Sequence, residues 1–243
     1  FESVAEKNVG HIGGTFSCVD LLVTLYYGGI LNHSNNDISD KFILSKGHAC
    51  LALYVILEDL GFISKKILNS YGDDGGLGGQ IDININGVDW NTGSLGHALG
   101  VCAGIAHAAQ LQNKNYKAIT ILGDAECDEG SIWEAIAEPE MEQAKKGLWV
   151  VDLDRQSLDR SIPGRRVKAW REMFESNGWN VIEAKYGTLL QAAFAQPNGE
   201  ILRDAIDDMT NQVYQRLLRV ESPILRESFT TYSTYPDVMR NLS

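Results

Sequence analysis

Two aspartates thirty residues apart are the first pair in this chain with the means to do chemistry. Asp124 follows an apolar, β-branched run, Ala118 to Leu122, in the turn Gly123-Asp124-Ala125-Glu126; Asp154 follows a second run, Leu148 to Leu153. If the two runs are neighbouring parallel strands, both carboxylates stand side by side at the strand ends, where open α/β sheets bind their ligands. Paired oxygen ligands suit a hard divalent cation such as magnesium, which takes one or two carboxylates and completes its octahedron with phosphate oxygens and water. The small residues Gly123 and Ala125 let backbone N–H groups approach an anion, so a metal-bridged diphosphate is the implied ligand. The same spacing fits a plainer arrangement, with Asp124 capping the helix from Gly130 and Asp154 in a solvated turn. Spacing alone leaves both open.

The elements that must position these residues read as strand, helix, strand: Ala118 to Leu122, the amphipathic Gly130 to Lys145, then Leu148 to Leu153. A further apolar run, Trp179 to Ala184, follows the helical pattern Arg165 to Ser176 and predicts another strand. Such alternation makes an α/β fold, a parallel sheet flanked by helices, the simplest topology. The N-terminal third reads as helices broken by glycine-rich turns, with Cys18 to Tyr27 and Ala49 to Leu60 as apolar segments. Tyr71 to Gly79 carries five glycines, and with Ile81 to Val88 it reads as a long loop. Leu95 to Gln112 is an alanine-rich helix in which Gly96, Gly100 and Gly104 permit close packing, in a tight core or against a second subunit. After Gly187 the pattern is helical, notably Glu200 to Arg219, before an irregular tail from Glu221.

With 243 residues and a net charge of -11, the chain has a core of ordinary size and no attraction for a phosphate backbone. Nucleic acid is not an expected partner. No apolar stretch approaches the roughly 20 residues that span a bilayer, and a cytoplasmic protein without membrane partners is expected. Cys18, Cys50, Cys102 and Cys127 form no CxxC pair and read as buried thiols. His33 and His107 read as structural, His97 as either a cofactor-loop residue or the opening of a helix, and Glu126 and Asp128 as solvated. The basic cluster Arg160, Arg165 and Arg166 reads as a solvated face.

GDAECDEG at Gly123 to Gly130, with Asp154 and Gln156 beyond it, resembles the thiamine diphosphate motif of transketolase-type enzymes, usually GDG with an asparagine at the second ligand position. Ala125 and Asp154 depart from that form, the latter adding a negative charge beside the metal. Gly10-His11-Ile12-Gly13-Gly14 resembles the family's SGHPG segment, Leu44-Ser45-Lys46-Gly47-His48 its LSKGH, and Asn91 to His97 its TGSLGHG. The resemblance implies thiamine diphosphate with Mg2+ or Ca2+ held by Asp124, Asp154 and Gln156, and a cofactor lined by His48, Gly93, Ser94, Leu95, Gly123, Asp124, Ala125 and Asp154. It implies catalytic roles for His11, near the reacting carbon, for His48, by the diphosphate, and for Glu129, which with Glu134 matches glutamates between two active sites of a dimer.

From Asp154 onward, DRQSLDRSIPG and the segments after it resemble the homodimeric decarboxylating component of pyruvate dehydrogenase, which shares this domain. Transketolases carry a substrate-facing histidine where this chain has Gln80. The resemblance implies that residues 1–243 are one diphosphate-binding domain, incomplete at its C-terminus, without the pyrimidine-binding domain whose glutamate activates the cofactor. A second subunit or the rest of the same polypeptide would supply it, in a homodimer or heterotetramer. The expected activity is two-carbon ketol transfer between sugar phosphates. The alternatives are a 2-oxo acid decarboxylating component and a noncatalytic relative that has lost the cofactor.

Overall fold

The computed structural model describes residues 7, 10–34, 39–138, 146–154, 156–157, 160–161, 164–217, 219–221, 223–225 and 227–228. The chain forms two compact units, Phe1–Asp154 and Arg155–Ser243.

The first unit is built on three parallel strands, β1 (Lys41–Leu44), β2 (Ala118–Gly123) and β3 (Gly147–Asp152), with β2 in the middle. Every residue of β2 before Gly123 is buried, as expected of a parallel strand covered on both faces. Ile119 and Ile121 join Phe42 and Leu44 of β1 in the main core. That face is covered by α2 (Val19–Tyr27) and α3 (Cys50–Asp59), through Leu22, Leu25, Tyr54 and Leu57. The opposite face packs under α5 (His97–Leu111), which buries Ala98, Leu99, Cys102, Ala103, Ala106 and Ala109. These small side chains let the helix lie close to the sheet. Thr120, buried in the middle strand, donates its hydroxyl to the Ile43 carbonyl (2.9 Å), so its burial leaves no polar atom unsatisfied. A short helix, α1 (Ile12–Ser17), precedes α2; α4 (Lys65–Asn69) follows α3; and α6 (Gly130–Ala137) follows β2.

Two strand assignments from sequence change. The N-terminal third, read as helices broken by glycine-rich turns, also contains β1, whose register Lys41↔Ala118 to Leu44↔Ile121 makes it a full partner of β2. Trp179 to Ala184 is not a strand. Trp179 packs edge-on against Phe174 at 6.0 Å, and Ile182 is 84% exposed. Asn180 and Glu183 interrupt the apolar run, so neither face can be buried whole. In the second unit, α7 (Gly164–Ser176), α8 (Thr188–Phe194), α9 (Gly199–Asp207) and α10 (Asn211–Leu217) follow a two-residue hairpin pairing β4 (Gln156–Ser157) with β5 (Arg160–Ser161). The expected helix Glu200 to Arg219 is thus two, broken at residues 208–210. The expected helix Gly130 to Lys145 is seen as far as Ala137, and residues 139–145 lie outside the described residues, as does the tail from 229. Arg166 of the basic cluster stacks over Trp170 at 5.8 Å. No described helix is long and apolar enough to cross a membrane.

Candidate active site

The carboxyl ends of all three strands open on one rim. The register runs to Gly123↔Asp152, so Asp124 and Asp154 stand just beyond the ends of adjacent parallel strands. Asp124 is 2% exposed in the 3-10 turn Asp124–Asp128, and the N-cap position of the helix that follows is Glu129, whose side chain makes no capping hydrogen bond. Asp154 is half-buried, and close enough to His48 for its charge to act on that imidazole. Asp124 is therefore not the N-cap of that helix.

At the end of β1, Ser45 continues the ladder by donating its N–H to Ile121 O (2.8 Å), and a 3-10 turn, Gly47–Ala49, holds His48. His11, just before α1, meets His48 edge-on with ring centroids 5.2 Å apart. A Cβ at Gly14 would lie 3.0 Å from His48 Nε2, a tight contact that would press on the imidazole. Burial holds the His48 imidazole below its ordinary pKa, the charges of Lys46 and His11 add to the effect, and Asp154 opposes it. His48 is thus biased to the neutral form.

Beneath the two histidines lies a buried ion pair that binds three segments together. Lys46 Nζ donates to Asp152 Oδ2 (2.7 Å) and to Ser17 Oγ (3.0 Å), and the Ser17 hydroxyl donates to the same carboxylate oxygen (2.7 Å). Lys46 is 2% exposed and Asp152 8%. Asp152 ends β3 two residues before Asp154, Lys46 stands two before His48, and Ser17 closes the helix that follows His11. One ion pair therefore fixes the three approaches to the rim.

Glycines make the remaining wall. A Cβ at Gly47 would meet Thr92 Oγ1 at 2.5 Å, Gln80 Oε1 at 2.6 Å and Gly93 N at 3.0 Å. Gly93 (φ +131°) and Gly96 (φ +81°) adopt backbone that L side chains rarely take. Between them Ser94 is exposed and Leu95 half-buried. Gln80 is anchored by its carbonyl, which accepts from the Tyr54 hydroxyl (2.7 Å). Thr92 Oγ1 is buried with no hydrogen-bond partner among the described residues.

The other expected residues are placed as follows. Glu129 and Glu134 are exposed on α6, Glu129 with its Cβ beside Gly96. Gln156 belongs to the second unit, where its backbone pairs with Ser161, and its side chain lies outside the described residues. Gly123 and Ala125 are half-buried beside Asp124, and His97 opens α5 with its side chain exposed. Sequence reasoning missed Ser17, Lys46 and Asp152 as a unit, and it misplaced Glu126. Read as solvated, Glu126 is 1% exposed and accepts three hydrogen bonds, from Ser45 Oγ (2.7 Å), Gly96 N (3.1 Å) and Gly123 N (2.8 Å). Its position three residues after Gly123 was the available signal, since an acid there can turn back to the N–H that precedes a helical turn.

The donor set fits a metal-bridged diphosphate. Two hard carboxylates follow the strand ends, Gly47 lets the Thr92–Gly93 backbone approach closely, and Thr92 has a buried hydroxyl without a partner among the described residues. Among the described residues no three His, Cys, Asp or Glu side chains converge on one point.

Residues 1–196 match the family description "Transketolase, thiamine diphosphate binding domain". One subunit of an apulose-4-phosphate transketolase from Phocaeicola vulgatus is 37% identical over 189 residues, covering 75% of this chain and 66% of that protein. The 6-deoxy-6-sulfo-D-fructose transketolase subunit SqwG of a Clostridium species is 35% identical over 139 residues (55% and 50%). Transketolase of Homo sapiens is 30% identical over 181 residues (71% and 29%). A crystal structure of a Pichia stipitis transketolase variant aligns with TM-score 0.53 at 19% identity, over 84% of this chain and 37% of that one, and shares the fold. This chain belongs to the transketolase thiamine diphosphate-binding domain family. It spans no more than 66% of the length of these relatives.

Proposed function

We propose that this chain is the diphosphate- and metal-holding half of a transketolase, which moves a two-carbon ketol unit between sugar phosphates once a pyrimidine-binding domain completes the site. The observation that carries the reading is the rim itself, where Asp124 and Asp154 follow the ends of adjacent parallel strands, Asp154 acts on His48, and His48 pairs edge-on with His11. The names of two relatives as subunits of transketolases support a partner polypeptide. Residues 1–243 are then one functional domain despite their two compact units, and the assembly is a dimer of such pairs in carbohydrate metabolism. Four buried cysteines suit a reducing cytoplasm.

Asp124 and Asp154 would hold magnesium, with Gln156 as a further oxygen ligand, and the backbone of Gly93 to Leu95 and of Gly123 to Ala125 would line the cofactor. Thiamine diphosphate, when bound, supplies a carbon nucleophile and an electron sink for cleaving a bond next to a carbonyl. His48, biased to neutrality, offers one ring N–H as a donor to an anion without adding a charge beside the metal. His11, exposed and edge-on to it, is placed to exchange a proton with substrate or to stabilise a developing oxyanion. Glu129, beside the cofactor-lining loop, would act across the boundary between subunits.

The test combines this chain with a pyrimidine-domain partner, a ketose phosphate donor, an aldose phosphate acceptor and magnesium. Formation of the chain-extended ketose phosphate, lost in His11→Ala, is expected. Pyruvate consumption without ketol transfer would instead favour a 2-oxo acid decarboxylating component.

A further inference from the structure

Glu126 occupies an unusual position for an acid in a turn of four acidic residues. It is 1% exposed, and all three of its hydrogen-bond donors are neutral: the Ser45 hydroxyl and the backbone N–H groups of Gly96 and Gly123. The three donors come from three separate segments. Ser45 stands at the end of β1, three residues before His48. Gly123 ends β2 immediately before Asp124. Gly96 caps α5 directly after Gly93, Ser94 and Leu95. The last link depends on the left-handed backbone at Gly96 (φ +81°), where a Cβ would strike Glu129 Cβ and Ser131 Oγ at 2.7 Å. That peptide is therefore wedged against the start of α6 while its N–H is held by Glu126.

We infer that Glu126 is a positioning residue that sets the spacing of the three cofactor-lining segments, and so tunes how tightly the diphosphate end of the cofactor is held; this rests on the thiamine diphosphate reading of the rim. A carboxylate is acceptor-only, and three donors converging on it match that chemistry. Ser45 and Gly96 share Oε1 and Gly123 takes Oε2, so an amide in place of the acid must turn an NH2 towards at least one donor. Either way a backbone N–H, that of Gly96 or of Gly123, faces the NH2 and is left without its acceptor, whereas the Ser45 hydroxyl can turn to accept. The carboxylate does not touch the reacting atoms; its effect passes through the loop and the turn.

The experiment has two readouts on the full chain. The first is amide hydrogen exchange at residues 94–96 without cofactor; the second is calorimetric affinity for thiamine diphosphate and magnesium with the pyrimidine-domain partner present. Glu126→Gln is expected to speed exchange at Gly96 about tenfold or more and to weaken cofactor binding by a similar factor, as expected for a lost buried hydrogen bond to a charged group. Ser45→Ala, which removes the hydroxyl donor alone, is expected to show a smaller effect of the same sign in both readouts, and it serves if Glu126→Gln does not fold. Unchanged exchange at Gly96 in folded Glu126→Gln, or faster exchange with unaltered cofactor affinity, overturns the assignment. If the wild-type complex binds no cofactor, the thiamine reading falls and with it the tuning of affinity. Exchange alone then decides whether Glu126 anchors the loop.

Discussion

The imidazoles of His11 and His48 meet edge-on, with ring centroids 5.2 Å apart and an interplanar angle of 70°. One stands before the first described helix of the sheet unit and the other in the turn after its first strand. Gly14 packs against His48, and the buried Lys46–Asp152 pair with Ser17 ties together the segments that carry the two rings.

His48 should titrate below its ordinary value of 6.5, chiefly because it is buried, with Lys46 and His11 adding to the effect. Because folding lowers this pKa, the unfolded chain takes up the proton first as the pH falls. The His48 contribution to stability is therefore full above about 6.5, declines as the pH drops from there to the folded pKa, and levels off below it. An NMR titration of the ring should place the midpoint below 6.5. Asp154→Asn, which removes the charge that raises it, should move the midpoint lower still. A midpoint at or above the ordinary value contradicts this environment.

Breaking the buried pair should be costly. Lys46→Met leaves Asp152, 8% exposed, with an uncompensated charge and should destabilise the fold by about 3–5 kcal/mol in urea denaturation. Adding Asp152→Asn should recover about half of the loss or more, because the penalty lies in the orphaned charge. A loss below about 1 kcal/mol in Lys46→Met would mean that the pair is solvated after all.

The family resemblance and the parallel runs were legible for physical reasons. Ala118 to Leu122 is a β-branched run whose only polar member, Thr120, satisfies its hydroxyl on a neighbouring carbonyl, so the strand signal is strong. The turn after it ends in Gly123-Asp124, and the adjacency of Asp124 and Asp154 followed directly. Lys41–Leu44 was not legible. Four residues are too few to show a period, and the apolar helices around them have the same composition. Trp179 to Ala184 erred in the opposite sense, since an apolar count cannot show whether a strand pairs with it, and none among the described residues does. Glu126 was misread because acids are seldom buried, and its donors lie in three segments that only the fold brings together.

The glycines separate those needed for shape from those that are free. Gly96→Ala places a Cβ 2.7 Å from Glu129 Cβ at a left-handed backbone position, and should destabilise the fold by about 1–3 kcal/mol. Gly100→Ala, on the same helix with nothing within 4 Å, should stabilise it by about 0.5–1 kcal/mol through helix propensity. Thermal denaturation of the two variants gives the comparison; equal shifts would contradict the packing at Gly96.

The central claim is that Asp124 and Asp154 hold a metal on which the diphosphate depends. Its most direct test is calorimetric titration of thiamine diphosphate into this chain with its pyrimidine-domain partner, with magnesium and after its removal by a chelator, for the wild type and Asp124→Ala. Saturable binding that disappears on magnesium removal and in folded Asp124→Ala is expected. Undiminished binding in either case, or no binding by the wild type, would contradict it.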